Sequence, residues 1–201
     1  MEGPVAVMEK KYYALKASLP MLLFDDAPPM SSAEFLERCA VWLKPDRMAD
    51  LRALTEIPRE ARKETSRFLP DGRTAMAIYR DWEIALRNAL ARQRAVRLGR
   101  DPEQYLVETG RYDSDAELAA RTVFNVDDPL EKEKALDRAR WDFLDGLEWK
   151  HAFDFAGLCI YRCKLLILEK WSARQAGNAA ANLDAAADRA EKASENGKTI
   201  S

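Results

Sequence analysis

Two stretches of the sequence, IYRDWEIALRNALARQ at residues 78–93 and IYRCKLLILEKWSARQ at residues 160–175, repeat one another at a fixed offset. The shared pattern is Ile-Tyr-Arg, then a leucine, then Ala-Arg-Gln, all in the same register. Apolar residues spaced three and four apart in both stretches predict amphipathic helices. Self-similarity at a constant offset is typical of stacked similar units, which usually present surface to partners. The sequence therefore predicts two copies of one helical unit.

The sequence around these stretches predicts an all-α fold, because no alternating run of β-branched and aromatic residues is bounded by hairpin turns. We expect a helical bundle with an N-terminal unit at residues 1–110 and a second unit at 111–177, which could form one continuous bundle. Residues 178–201 are polar and rich in alanine, with little to pack. We therefore expect the last helix to fade near Gly177 and a solvated or frayed tail to follow.

Capping residues, prolines and glycines predict where the helices begin and end. The predicted helix starts are Ser31 with Glu34, Pro45, Pro58, Asp101-Pro102, Ser114 with Glu117, Asp128-Pro129 and Asp154. A break is expected at Pro70-Asp71-Gly72, and Gly99 should end a long helix that starts at Thr74. The segment from Phe155 to Trp171 is the densest in apolar residues, so we expect it to be the most buried.

Charge and targeting signals exclude several classes of protein. Lys and Arg number 32 against 34 Asp and Glu, so a net charge of -2 provides no global field to hold nucleic acid. The sequence has neither a secretory signal pattern nor an apolar run of about 18 to 20 residues that would span a bilayer. Three unevenly spaced cysteines, Cys39, Cys159 and Cys163, do not resemble a disulfide framework. We expect a cytoplasmic protein.

Candidate metal ligands are few. Glu148-x-x-His151 has the spacing of half a carboxylate-bridged di-metal site on a helix, with Asp142 and Asp145 as further acidic residues. His151 is the only histidine, whereas that arrangement needs a second Glu-x-x-His pair. Cys159 and Cys163 lie four apart and could join Cys39 and His151 in a four-ligand zinc cluster, but small buried hydrophobes are the more common role. We expect no bound metal.

Catalytic motifs are also missing from the sequence. The lone histidine has no G-x-S-x-G turn nearby to support a nucleophile, and no glycine-rich phosphate loop occurs. We expect neither a cofactor nor an enzymatic activity.

The end of the first long helix instead carries a candidate partner interface. Arginines concentrate there at Arg87, Arg92, Arg94, Arg97 and Arg100. Part of this charge complements the negative end of the helix dipole. A second interpretation is a docking stripe for an acidic partner, formed by Arg87, Asn88, Arg92 and Arg97.

Longer segments of the sequence resemble a bacterial family of uncharacterised proteins encoded among the genes of V-type (A-type) ATPases. The opening phrases are Tyr12-Tyr13-Ala14-Leu15-Lys16-Ala17-Ser18-Leu19-Pro20 and Pro28-Pro29-Met30-Ser31 with Glu34-Phe35-Leu36. The middle and late phrases are Trp82-Glu83, Leu86-Arg87-Asn88-Ala89-Leu90-Ala91, Arg97-Leu98-Gly99-Arg100-Asp101, Asn125, Pro129-Leu130-Glu131, Leu136-Asp137-Arg138-Ala139-Arg140-Trp141-Asp142-Phe143-Leu144-Asp145, Leu166 and Leu168-Glu169-Lys170-Trp171. The resemblance covers about residues 12–171 and implies a place in a rotary ATPase gene cluster.

A second similarity points to a role within that machine. Leu86-Arg87-Asn88-x-Leu90 with Arg92, Leu98-Gly99 and Glu103 resembles the helix-then-turn repeat of the V/A-type ATPase C subunit, whose eukaryotic counterpart is the d subunit. Pro129-Leu130-Glu131 with Ala135-Leu136-Asp137 resembles the helix before its next repeat. In the C subunit, pseudo-symmetric helical units form a funnel that seats the central shaft on the membrane ring. This chain has room for about two units where the C subunit has three.

The resemblance implies a non-catalytic, cytoplasmic coupler similar to the C subunit, whose partners are the central shaft and membrane ring and which lies peripheral to the inner membrane. Two alternatives remain open at the level of sequence. One is a transient assembly factor for the same ATPase. The other is a helical metalloenzyme that uses Glu148, His151, Asp142 and Asp145.

Overall fold

The structure, a computed structural model, describes residues 12–54, 75–107, 113–151 and 154–198, with side chains described as far as Gly177. Within these ranges the chain is an all-α helical bundle, as predicted, and no strand is present. The helices are α1 (12–17), α2 (Ser32–Ala40), α3 (Pro45–Ala53), α4 (Ala75–Arg97), α5 (Ser114–Phe124), α6 (Pro129–Glu148) and α7 (Phe155–Lys198), with a short 3-10 helix at Pro102–Tyr105.

Helix α7 lies at the centre of the bundle. Its first turns pack against α2, α3, α4 and α6, and residues 157–165 are buried without interruption. A helix that is apolar all round is buried all round. The prediction that Phe155–Trp171 is the most buried segment is confirmed for its first four turns, whereas the side chain of Trp171 is partly exposed.

Three predicted helix starts are confirmed by their hydrogen bonds. The Ser31 hydroxyl accepts from the Glu34 amide at 3.1 Å, and the Asp154 carboxylate accepts from the Gly157 amide at 3.0 Å. Asp128 accepts from two amides, with Pro129 as the first residue of α6. These caps satisfy amide groups that have no partner inside the helix. Pro45 likewise begins α3.

Three predicted boundaries differ from the structure. The cap of α5 is Asp113 rather than Ser114, because the Asp113 carboxylate accepts from the amides of Asp115 and Ala116. Asp101-Pro102 starts only a four-residue 3-10 helix. The last helix does not fade near Gly177 but continues to Lys198, because one glycine costs only about 1 kcal/mol and the alanine-rich sequence after it favours helix.

Some predictions fall outside the described residues. They are the Pro58 helix, the break at Pro70-Asp71-Gly72 and the Thr74 helix start. The long helix itself is present from Ala75, and Gly99 terminates it with a φ of 61° as the Arg100 amide donates to the Ala95 carbonyl at 2.9 Å.

One hydrophobic cluster joins the two predicted units. It contains Leu15, Phe35 and Leu86 from residues 1–110 together with Leu144 and Leu165 from residues 111–177. The described residues of both units therefore share a core. The boundary between the units stays a prediction.

The repeated stretches agree at some positions and differ at others. Tyr79 and Tyr161 are both buried, as are Leu86 and Leu168, so both copies turn this face inward. Ile78 is exposed whereas its counterpart Ile160 is buried. The two copies therefore have different surroundings at this position. Duplication of a whole unit stays a prediction.

Candidate functional site

The predicted interface at the end of α4 contains four residues in different environments. Arg87 donates to Glu83 at 2.9 Å, Arg92 pairs with Glu117 of α5, and the Arg97 guanidinium lies 5.8 Å from the centroid of the Phe124 ring. All three arginines reach the surface. They are therefore tied to neighbouring side chains and at the same time accessible to solvent.

Asn88 belongs to the interior rather than to this surface. Its side chain is only 7% exposed and makes two hydrogen bonds with the backbone of Val107. The amide nitrogen donates to the Val107 carbonyl at 2.7 Å, and the amide oxygen accepts from the Val107 amide at 2.9 Å. Asn88 thus holds the segment after the 3-10 helix against α4. In this conformation its side chain is not available to a docking partner.

Beside α4, a buried charge network connects three helices. Glu83 of α4 accepts two hydrogen bonds from Arg140 of α6, at 3.0 and 2.7 Å. Asp137 of α6 accepts from Arg140, from Lys170 of α7 at 2.7 Å and from Trp171 Nε1 at 3.0 Å. Loss of one member of such a buried pair leaves an uncompensated charge. The ion pairs and hydrogen bonds of this network join α4, α6 and α7.

The candidate metal ligands do not converge. The two oxygens of Glu148 accept from Lys16, at 2.7 Å, and from Lys164. His151 Nδ1 lies 2.6 Å from Asp154, and Asp145 pairs with Lys164. Among the residues that the structure describes, no three His, Cys, Asp or Glu side chains are grouped to hold an ion.

The three cysteines are buried free thiols. Burial raises the pKa of Cys39 and of Cys163 to about 12 and raises that of Cys159 well above its usual value. Thiols in such surroundings stay protonated at neutral pH and are unreactive. Their role in the described fold is packing in the core.

A cleft of about 440 Å³ lies where α1 and the loop after it meet α6 and α7. Its lining residues are Lys16, Leu19, Pro20, Met21, Leu22, Leu23, Asp145, Glu148, Tyr161 and Lys164. Sequence reasoning assigned no role to Lys16 or Lys164. A signal was present for Lys164, because it lies inside the apolar run of α7 where a lysine is expected only with a partner.

Arg162 is a second charged residue inside that run. Its side chain is fully buried, and no described residue accepts a hydrogen bond from its guanidinium. Burial lowers the pKa of Arg162 from its usual value, because the charged form loses solvation. A buried charge without partners is costly to a fold.

Comparison of the chain with protein-family models, with curated proteins and with solved structures found no match in any of the three. Within the described part of the chain, no helix has the length and apolar character needed to cross a bilayer.

Proposed function

We propose that this protein is a non-catalytic component of a V/A-type rotary ATPase, similar to the C subunit, with the central shaft and membrane ring as its partners. The sequence resemblance over about residues 12–171 suggests the machine, and the helical bundle suits a component that transmits force. A coupler has to be stiff, and helices joined by buried ion pairs resist sliding past one another.

The observation that carries the proposal is the helix-then-turn unit at α4. The residues Leu86-Arg87-Asn88, which resemble the C-subunit repeat, lie on a helix that stops at the Leu98-Gly99 turn. The chain then returns along α4 through the 3-10 helix, Asn88 binds the backbone of Val107 just after that helix, and α5 packs against α4. Asn88, one residue of the motif, thus holds the segment that follows the turn against α4.

We further propose that the partner contacts the exposed end of α4. Arg94 and Arg97 are exposed there, and the arginines concentrate positive charge suited to an acidic partner surface. Arg92 extends this surface toward α5 through its pair with Glu117. The interface is therefore proposed at Arg92, Arg94 and Arg97, with Arg87 at its edge.

The test is affinity purification of the tagged full chain from native membranes, with identification of the proteins recovered. Stoichiometric recovery with shaft and ring proteins, both in crude membranes and in the purified active ATPase, is the expected result. Recovery only with incomplete complexes would indicate the assembly factor instead. A purification that yields no ATPase component would refute both roles.

The interface is tested by the double variant Arg94→Glu/Arg97→Glu. We expect recovery of ATPase components to fall about tenfold or more, because the new glutamates would face an acidic partner surface and repel it. The matched control is Arg80→Glu, an exposed arginine near the other end of α4. Equal recovery with the double variant and the control would place the contact elsewhere on the molecule.

A further inference from the structure

The cleft between α1, α6 and α7 has one charged wall. Lys164 is 5% exposed at its side chain and pairs with both Asp145 and Glu148. Lys16 binds the other oxygen of Glu148. Two ammonium groups thus face two carboxylates, and the net charge of the wall is zero.

Asp145 on this wall can accept a further hydrogen bond. The Asp145 side chain is 53% exposed, and only its Oδ1 oxygen accepts a hydrogen bond from a described residue. A carboxylate has two oxygens that accept hydrogen bonds, and an ammonium group has three donors. An incoming cation can therefore bind Oδ2 of Asp145, and an incoming anion can accept from the third donor of Lys164, while the pair between Asp145 and Lys164 persists.

Another part of the lining is apolar and is held by a hydrogen bond. Residues 19–23 form it, and the Tyr161 hydroxyl donates to the Pro20 carbonyl at 3.0 Å. Burial raises the pKa of Tyr161 to about 12, so the hydroxyl keeps its proton at neutral pH. Met21 is 80% exposed at the rim. Apolar side chains presented in this way suit an apolar ligand group.

We propose that this cleft binds a small zwitterion with an apolar side chain, of the chemical class of leucine and methionine. The ligand carboxylate would accept from Lys16 and Lys164, the ligand ammonium would donate to Asp145, and the side chain would lie against the loop. A ligand with a net charge would leave one charge uncompensated in a partly desolvated site, which is unfavourable. A wholly apolar ligand would displace water from the charged wall and offer no hydrogen bonds in place of those that the water made.

The experiment is calorimetric titration of the full chain with leucine and with methionine. Three analogues each remove one feature: N-acetyl-leucine lacks the ammonium, leucinamide lacks the carboxylate, and glycine lacks the side chain. We expect at least one of the two amino acids to bind. Each analogue that lacks the ammonium, the carboxylate or the side chain should bind about tenfold or more weakly.

Variants connect the binding to this cleft. Asp145→Asn removes the exposed carboxylate charge and should weaken amino-acid binding about tenfold, because the ligand ammonium loses a charged acceptor. The matched control is Asp142→Asn, since Asp142 is also exposed on α6 and does not line the cleft. We expect the control to bind as the original chain does.

Two results would overturn the proposal. One is no heat of binding with either amino acid at about 10 mM, well above a Kd of about 1 mM. The other is equal binding of the amino acid and its blocked analogues, or equal effects of the two aspartate variants. Because this titration uses the isolated chain, its failure would leave the ATPase association untouched, and a failed purification from membranes would leave the cleft proposal untouched.

Discussion

At the scale of single residues, the interior of this bundle contains charges in two contrasting situations. Asp137 is 2% exposed and accepts hydrogen bonds from three side chains. Arg162 is as deeply buried, yet its guanidinium has no acceptor among the described residues. Removal of a partnered charge leaves its partners unpaired, whereas removal of an unpartnered one relieves a cost. The two residues should therefore respond to substitution with opposite signs.

Asp137→Asn should destabilise the fold by about 3–5 kcal/mol, because Arg140 and Lys170 lose a buried anionic partner. Urea unfolding followed by circular dichroism at the helix band measures the change. Asp142→Asn, an exposed position on the same helix, serves as control and should change the free energy of unfolding by less than about 0.5 kcal/mol. Similar losses in the two variants would mean that the Asp137 network contributes little.

Arg162→Met should raise the free energy of unfolding by about 1–4 kcal/mol, because an unbranched apolar side chain replaces a buried charge. Its counterpart in the repeat provides the control, since Arg80 is exposed and Arg80→Met should be nearly neutral. The same urea unfolding measures both. A loss of stability in Arg162→Met would show that the guanidinium is satisfied in solution.

At the scale of the helix, the position of a glycine decides whether its substitution by alanine raises or lowers the free energy of unfolding. Gly99 ends α4 with a φ of 61°, a conformation that side chains disfavour. Gly146 lies inside α6, and a methyl group added there would meet no atom within 4 Å. The same chemical change should thus have opposite effects at the two positions.

Gly99→Ala should lower the free energy of unfolding by about 1 kcal/mol, and Gly146→Ala should raise it by about 0.5–1 kcal/mol. No atom lies within 4 Å of the added methyl group at Gly99 either, so backbone strain alone carries the predicted loss. Thermal unfolding of the two variants beside the original chain gives both signs. A stabilising Gly99→Ala would contradict the left-handed end of α4.

At the scale of the whole molecule, ion pairs between distant segments make stability depend on pH. Hydrogen bonds from Arg174 and Lys170 lower the pKa of Glu133 to about 2. Burial alone would raise the pKa of Glu148, but Lys16 and Lys164 lower it below its usual value. A carboxyl with a depressed folded-state pKa stabilises the fold above its unfolded pKa and loses that contribution as the pH falls through the folded pKa.

The free energy of unfolding should therefore fall as the pH decreases from about 5 toward 2. Urea midpoints measured across this range check the direction. Glu133→Gln should make the dependence shallower, because the amide does not titrate. Asp142→Asn, at an exposed aspartate with no ion pair among the described residues, should leave the slope unchanged. An equal pH dependence of the free energy of unfolding with and without Glu133 would contradict this explanation.

The sequence supported correct predictions at several helix starts, where the signal is local. Ser31, Asp128 and Asp154 cap their helices through bonds to amides two or three residues away, so the pattern and the contact are the same few residues. The candidate sites were harder. Lys16 binds Glu148 from 132 positions away, and Asn88 was assigned to a surface although its partner, Val107, lies 19 positions on. A helical period predicts a polar face without showing which of its members a neighbouring segment covers.

The sequence by itself determined the all-α class, the caps of three helices, the glycine end of α4 and the burial of the first turns of α7, since each depends on spacing within one turn or on apolar density. Only the tertiary structure decided that Lys164 and Asp137 lie in ion pairs, that Asn88 faces inward and that a cleft opens beside residues 19–23. The physical reason is that a polar side chain takes its role from whatever the fold brings against it. Those partners come from segments far apart in the chain.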